Sequence, residues 1–373
     1  MRRSTWILGL AMMVSSGCAQ EALSPVEETS SAVVTPRNWA LGWVDTPATG
    51  HVSTTWQATS SGAVMTGARP APGRYEIYVP GMTSFVGGNV LVTPYATSAH
   101  CGVVSWNVIA GALKIDVQCF APVTGAAVDA QFVVSYVLED LRPVGGSDPV
   151  RAAYMWYSNG SPAAEPTYRW SSIGGPGALF TTTTTGTGKY RVEMHGMTAP
   201  QLPPGGVAQV TAYGAAKRYC NVTDWANLIG TASRFVDVRC FDPTGALANS
   251  AFALRFWTRP TWGAREGGYA VDISPSSASF TPAAVHQSLF PELVPLTPIS
   301  IARPSAGSWD ASVPAMTWTG SGALVGSLDP DGAYCTTAGW NPGVHVQVRC
   351  FSPTGAAADA RFTVAYLDGV DGP

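Results

Sequence analysis

The sequence predicts an all-β protein made of three tandem β-sandwich domains, each closed by one disulfide. Two observations carry this prediction: one sequence pattern occurs three times, and apolar and polar residues alternate with a period of two inside each copy. The composition agrees, because only 12% of the residues are charged while Gly and Pro number 40 and 29. Such a mixture favours strands and turns over the charged surface helices of most soluble proteins.

The repeat is most visible in three ten-residue blocks that align without gaps: GRYEIYVPGM (73–82), GKYRVEMHGM (188–197) and GSWDASVPAM (307–316). Downstream, each copy has a Cys followed five residues later by Trp, then a Cys-Phe pair, a Pro, a Gly and a closing Phe. The Cys and Trp of the first step are Cys101 and Trp106, Cys220 and Trp225, and Cys335 and Trp340. Agreement over about sixty residues per copy indicates that one structural unit is repeated.

The alternation inside the repeats predicts half-buried antiparallel strands. Tyr75, Ile77 and Val79 share one face of a strand, and Arg74 and Glu76 fall on the other. About seven such strands per copy, separated by Gly, Pro and Ser-Thr turns, favour an immunoglobulin-like sandwich over a small barrel.

The N-terminus has the pattern of an export signal. Arg2 and Arg3 precede a short apolar stretch, Trp6 to Val14, and small residues then lead to Cys18. This pattern resembles the lipobox of bacterial lipoproteins, in which the cysteine thiol receives a diacylglycerol, although Ser15 stands where that family usually has leucine. The alternative is ordinary signal-peptidase cleavage after Ala19.

The chain therefore divides into five predicted segments. No other stretch is apolar for long enough to predict a transmembrane helix. The segments are a signal peptide with a lipobox-like end (1–18), a flexible tether (19–37) and three β-repeats (38–141, 152–262 and 263–373).

The seven cysteines divide unevenly, two in each repeat and one in the signal segment. We expect one disulfide within each repeat, which requires an oxidising compartment outside the cytoplasm. The predicted pairs are Cys101–Cys119, Cys220–Cys240 and Cys335–Cys350. The odd cysteine, Cys18, supports lipidation. No repeat has the close Cys-x-x-Cys spacing of a zinc site, so we expect no metal.

Residues for catalysis are hard to find. The five histidines fall at different places in the repeats, and the sequence has no G-x-S-x-G motif. Asp129 and Asp359 recur at one repeat position, but Asn249 replaces them in the second copy, which suits a turn better than a general acid. We therefore expect no catalytic residue, no cofactor and no enzymatic activity. The net charge of −3, without a basic run, argues against binding to nucleic acid.

Aromatic residues near the ends of repeats offer the only candidate ligand contacts. Trp39, Trp43, Trp156 and Trp262 could stack on sugar rings, although packing between repeats is the favoured interpretation.

The repeat, carried by the Cys-x4-Trp step and by VRCFDPTG (238–245), resembles that of uncharacterised bacterial secreted and lipoprotein tandem β-repeat proteins. This resemblance implies export but brings no activity and no binding residue. We expect a non-enzymatic lipoprotein of the outer membrane or cell surface, with a structural or adhesion role. It would contact the membrane through its lipid anchor, and a surface glycan or protein is its candidate partner. The alternatives are a periplasmic or secreted location and a carbohydrate-binding or accessory module of an extracellular hydrolase system.

Overall fold

The three repeats share eight equivalent strands that form two antiparallel sheets, and repeat 3 has one further short strand. The computed structural model describes residues 38–82, 87–138, 152–158, 168–175, 177–197, 205–258, 264–290, 298–313, 322–341 and 345–369. Repeat 1 contains β1 (Asn38–Thr46), β2 (His51–Thr59), β3 (Thr66–Ala71), β4 (Arg74–Pro80), β5 (Asn89–Tyr95), β6 (His100–Ile109), β7 (Ala112–Phe120) and β8 (Gln131–Leu138).

The other two repeats have equivalent strands in the same order. Repeat 2 contains β9 (Ala152–Tyr157), β10 (Arg169–Ser171), β11 (Phe180–Gly186), β12 (Lys189–Met194), β13 (Val207–Tyr213), β14 (Tyr219–Asn227), β15 (Arg234–Phe241) and β16 (Ala251–Trp257). Repeat 3 contains β17 (Ala264–Asp272), the short extra β18 (Ser279–Phe280), a 3₁₀ turn (Ala284–His286), β19 (Gln287–Phe290), β20 (Ser300–Ser305), β21 (Ser308–Ser312), β22 (Gly322–Ser327), β23 (Tyr334–Asn341), β24 (His345–Phe351) and β25 (Phe362–Gly369).

The strand order of the two sheets is the same in all three repeats. In repeat 1 one sheet runs β5-β8-β1-β2 and the other β6-β7-β4-β3. Repeat 2 has β13-β16-β9-β10 and β14-β15-β12-β11, and repeat 3 has β22-β25-β17-β19 and β23-β24-β21-β20. The predicted all-β fold of three tandem sandwiches is therefore confirmed, with one strand more per repeat than the sequence indicated.

The period-two pattern accounts for the core of each sandwich. Burial alternates strictly along β4, so that Tyr75, Ile77 and Val79 are buried and their neighbours are half-buried. Tyr75 meets Phe132 of the opposite sheet with ring centroids 5.1 Å apart. Burying such side chains stabilises a fold by about 1.5–3 kcal/mol each.

The three predicted disulfides are also confirmed. Each joins the sixth and seventh strands of its repeat at directly opposite positions, with Cα–Cα distances of 4.1, 4.0 and 3.9 Å for Cys101–Cys119, Cys220–Cys240 and Cys335–Cys350. On a chain-entropy estimate each of these loops adds about 3 kcal/mol of stability.

Sheets continue from one repeat into the next. The fifth strand of repeat 2 pairs in parallel with the sixth strand of repeat 1, where Gly214 N–H donates to Val103 O at 2.8 Å. The fifth strand of repeat 1 pairs in the same way with the sixth strand of repeat 3, where Ala96 N–H donates to Thr337 O at 2.7 Å. The resulting sheets have eight and nine strands.

The third junction uses the same two strands without joining their sheets. The sixth strand of repeat 2, β14, lies beside the fifth strand of repeat 3, β22. Asn221 Nδ2 donates to Asp329 O at 2.9 Å and to Ala333 O at 2.8 Å across this junction. One head-to-tail contact thus occurs three times and closes, so the repeats form a ring about a pseudo-threefold axis. Residues Val34–Pro373 make one compact unit.

Several predicted features lie outside the described residues, namely the signal segment with Cys18, the tether (19–37) and Trp262. Within the described ranges, no helix has the length and apolar character needed to cross a bilayer.

Candidate functional site

Three aromatic rings meet on the pseudo-threefold axis at one end of the ring. They belong to His100, Tyr219 and Tyr334, each of which precedes the first cysteine of its repeat, and all three are buried. The His100 centroid lies 4.0 Å from the centroids of both tyrosines, and the tyrosines lie 5.5 Å from each other. We call the end of the ring that these residues close the capped end.

A second layer of aromatic residues surrounds these three rings. Each central ring contacts the phenylalanine that follows the second cysteine of its own repeat, at centroid distances of 5.3, 5.2 and 5.6 Å. The phenylalanines are Phe120, Phe241 and Phe351. In each repeated Cys-Phe pair, the cysteine therefore forms the disulfide of its sandwich and the phenylalanine packs around the central rings of the cap.

The repeated Pro and Gly interlock neighbouring repeats at the same end. Each Gly has a positive φ and faces the Pro ring of the next repeat so closely that an added Cβ would lie 2.9, 2.4 or 2.9 Å from a proline carbon. The pairs are Gly125 with Pro243, Gly245 with Pro353, and Gly355 with Pro122. These glycines therefore serve close approach as well as turn geometry.

A small cavity of about 50 Å³ lies on the axis beneath the cap. Val92, Val210 and Val325, one from each fifth strand, are among its lining residues, together with the first cysteine of each disulfide. Ligand pockets for organic molecules usually measure about 300–1,000 Å³, so this cavity has room only for about three water molecules. This cavity is therefore too small for an organic ligand.

The two tyrosines of the cap donate hydrogen bonds to neighbouring repeats, whereas His100 has a ring nitrogen without a partner. The Tyr219 hydroxyl donates to Gly332 O of repeat 3, and the Tyr334 hydroxyl donates to Ser98 O of repeat 1. The imidazole Nε2 of His100 is buried without a hydrogen-bond partner. Burial lowers the pKa of His100 to about 3, because the charged imidazolium would lose its hydration there.

The candidate ligand aromatics are used in packing where the structure describes them. Trp39 is buried in repeat 1. Trp43 lies 4.9 Å from Tyr95 and 5.7 Å from Trp340 of repeat 3, measured between ring centroids. Trp156 makes the equivalent cluster, 5.1 Å from Tyr213, whose ring meets Trp106 of repeat 1.

These Trp–Tyr–Trp clusters cover two of the three junctions. At the third junction, between repeats 2 and 3, Val271 and Leu328 occupy the positions of the other repeats' Trp and Tyr beside Trp225. This is also the junction whose sheets stay separate. The junction between repeats 2 and 3 therefore lacks the Trp–Tyr–Trp cluster and the shared sheet of the other two.

The position that holds Asp129, Asn249 or Asp359 in the three repeats has a structural role, in agreement with the exchange of Asp for Asn in repeat 2. In every repeat its side-chain oxygen accepts the N–H of the glycine that opens the ten-residue block, at 2.8 Å. The pairs are Asp129 with Gly73, Asn249 with Gly188, and Asp359 with Gly307. Either Asp or Asn can make this bond, so no acid is required.

One carboxyl group stands apart from these structural bonds. Asp272 is fully buried, and its Oδ1 accepts the Ser274 N–H at 2.7 Å while Oδ2 has no partner. Burial raises the pKa of Asp272 to about 6. The equivalent positions of repeats 1 and 2 are Val44 and Tyr157, so this carboxyl is not a property of the repeat.

Two further histidines form ion pairs with aspartates. His51 Nδ1 contacts Asp45 Oδ1 at 2.7 Å, and His345 Nδ1 contacts Asp310 Oδ1 at 2.8 Å, both at the surface. Among the residues described, no three His, Cys, Asp or Glu side chains are placed to share a metal ion.

Sequence reasoning missed the axial residues, although a signal for them was present. An aromatic side chain precedes the first cysteine in every copy, but His100 differs in chemistry from Tyr219 and Tyr334 and hides the pattern. Comparisons of the chain with protein-family models, with curated proteins and with solved structures give no match in any of the three.

Proposed function

We propose that the protein is a non-enzymatic lipoprotein of the bacterial cell envelope that serves as a rigid structural or adhesion module. One observation carries this proposal: several of the residues that all three repeats share join the repeats to one another. The Pro and Gly interlock, the Cys-Phe pair builds the cap, and the recurrent Trp106 and Trp340 fill two junctions. The shared pattern therefore supports a scaffold, and the loops that differ between repeats are left for recognition.

The proposed location rests on two further features. Three disulfides favour an oxidising compartment, since reducing conditions in the cytoplasm oppose their persistence. The lipobox-like segment before Cys18 supports anchoring by a lipid. A ring of three repeats on one anchor would also present related surfaces together, which favours avidity from weak contacts.

Metabolic labelling tests the anchor. In cells that express the full chain, we expect radiolabelled palmitate to enter the wild-type protein and to be absent from Cys18→Ala. Globomycin, which blocks the lipoprotein signal peptidase, is expected to accumulate the longer precursor of the wild type only. An unlabelled wild-type protein whose mature chain begins at Gln20 would contradict the proposal.

A binding screen distinguishes adhesion from a purely structural role. The purified mature chain, fluorescently labelled, is applied to a glycan array and to whole bacterial cells. We expect binding that reduction of the three disulfides abolishes, because the loops depend on the folded ring. If the native chain binds nothing, the adhesion half of the proposal is wrong.

A further inference from the structure

The loops that the structure describes at the two ends of the ring differ in charge. At the capped end, the loops that surround the axis carry both acidic and basic side chains. These are Asp129, Lys217, Arg218, Asp242, Asp329, Asp331 and Asp359. Such a surface is well hydrated and stays in water.

The opposite end is where the chain enters the ring. β1 begins at Asn38, which pairs with Leu138 at the end of β8, while Val44 pairs with Phe132 near the cap. We call this the entry end. Its loops connect the second strand to the third, the fourth to the fifth and the sixth to the seventh in each repeat.

The described loop residues at the entry end include no Asp, Glu, Lys or Arg. They fall in the ranges 60–65, 81–82, 87–88, 110–111, 172–175, 177–179, 195–197, 205–206, 228–233 and 298–299. These described loops therefore avoid the large cost of moving a charged side chain into a low-dielectric medium.

Large aliphatic side chains project from these described loops. Among the described residues of the entry end, the exposed ones are Val64 at 57%, Ile109 at 50%, Ile173 at 42%, Leu179 at 56% and Ile229 at 102%. Ile109 and Ile229 stand at the hairpins between the sixth and seventh strands of repeats 1 and 2. Aliphatic tips on several loops of one face form a surface that gains from transfer out of water.

The position of the proposed anchor decides what covers this face. Residues 19–37 can span at most about 70 Å between Cys18 and Asn38, so an anchored ring stays within that distance of the bilayer. Because the chain enters at the entry end, that end can turn to the membrane without the tether passing around the ring.

We propose that the entry end docks on the surface of the lipid bilayer, with Ile109, Ile229 and the neighbouring aliphatic tips inserted at the headgroup–acyl boundary. This inference rests on the proposed lipid anchor. It makes the anchor and the loop tips two contacts with one membrane, and it holds the capped end away from the bilayer. Single weak insertions gain strength when a tether supplies the second contact.

Vesicle flotation without the lipid tests the docking. The chain from residue 18 with Cys18→Ser lacks only residues ahead of the compact unit. It is mixed with vesicles of phosphatidylethanolamine and phosphatidylglycerol. We expect the partition coefficient to fall on the order of tenfold in I109D/I229D. The control is V123D/I273D, which changes two aliphatic residues that are also exposed, 47% and 49%, but lie at the capped end. This control is expected to float like the parent chain.

Two results would overturn the docking: a parent chain that does not float, or equal flotation of the parent chain and I109D/I229D. A concentration-dependent dimer in sedimentation, lost in I109D/I229D, would instead assign the face to a second copy. Palmitate labelling tests the anchor independently of the docking. If the ring floats without its lipid but the protein takes up no palmitate in cells, the lipid anchor is refuted and the docking proposal stands.

Discussion

His100→Tyr is expected to stabilise the protein against acid. In the wild type, the buried imidazole has a pKa near 3, whereas an unfolded histidine takes up a proton near 6.5. The folded state is therefore penalised as the pH falls through this window, by about 1.4 kcal/mol per pH unit and about 5 kcal/mol in all. A tyrosine stays neutral throughout, so the variant should lose this penalty.

The substitution should also complete the bonding of the cap. Tyr219 and Tyr334 each donate to a carbonyl three residues before the first cysteine of a neighbouring repeat. The corresponding carbonyl for position 100 belongs to Lys217. A hydroxyl in that position removes the unpartnered Nε2 and adds a bond, a gain of about 1 kcal/mol at neutral pH.

Asp272 adds a second pH-dependent contribution to the stability of the wild type, opposite in sign to that of His100. Its folded pKa is raised to about 6 from an ordinary value of 3.8. It therefore costs about 3 kcal/mol at neutral pH, and this cost is relieved as the pH falls from 6 to 3.8. In that window the contributions of His100 and Asp272 have opposite signs and nearly cancel, so the wild type should show little pH dependence.

Urea unfolding between pH 7 and about pH 4.5 separates the two groups. His100→Tyr alone should gain stability as the pH falls below 6. Asp272→Asn, which keeps the acceptor for Ser274, should be more stable at pH 7 and lose stability on acidification. The double variant should be flat. An unchanged pH profile in His100→Tyr would show that His100 has the same pKa in the folded and unfolded states, and would contradict the prediction.

Gly245→Ala should loosen the ring where repeats 2 and 3 meet. The glycine has a φ of +88°, and an added Cβ would lie 2.4 Å from Pro353 Cβ. Gly230 has a φ of +79° but nothing within 4 Å, so Gly230→Ala carries the same backbone strain without the overlap. We expect Gly245→Ala to cost about 1–3 kcal/mol more than this control in urea unfolding of the disulfide-intact protein.

A double-mutant cycle with Pro353→Gly assigns the effect to the interlock. Removing the proline ring should recover the part of the loss that comes from overlap, which gives a favourable coupling energy. Gly245→Ala and Gly230→Ala with equal costs, or additive effects in the cycle, would mean that the Pro–Gly contact does not hold the repeats together.

The sandwich fold could be predicted from the sequence, whereas the closed ring of three repeats could not, and the reason is physical. Strand faces follow from local alternation, as in Tyr75, Ile77 and Val79, and the disulfides follow from the parity of the cysteines. The contacts that close the ring join residues more than a hundred positions apart, such as Tyr219 with Gly332. A Pro-x-Gly sequence predicts a turn. The local sequence does not indicate that Gly245 also packs against Pro353 of the neighbouring repeat.

The candidate site shows the same limit. Trp43 and Trp156 were open to either packing or ligand binding until their partners were known. His100 looked unrelated to Tyr219 and Tyr334 because histidine and tyrosine differ in polarity and charge. On the axis, however, the three side chains pack as flat rings of similar size.

The junctions also differ in how they would carry a mechanical load. Chain linkers already connect repeats 1 and 2 and repeats 2 and 3, whereas repeats 1 and 3 have no linker between them. It is between these two that β23 pairs with β5 and that Trp340 packs against Trp43 and Tyr95. Tension applied between the first and last strands would have to pull this junction apart before the chain could extend. The covalently unlinked junction between repeats 1 and 3 is thus the one that would bear the load first.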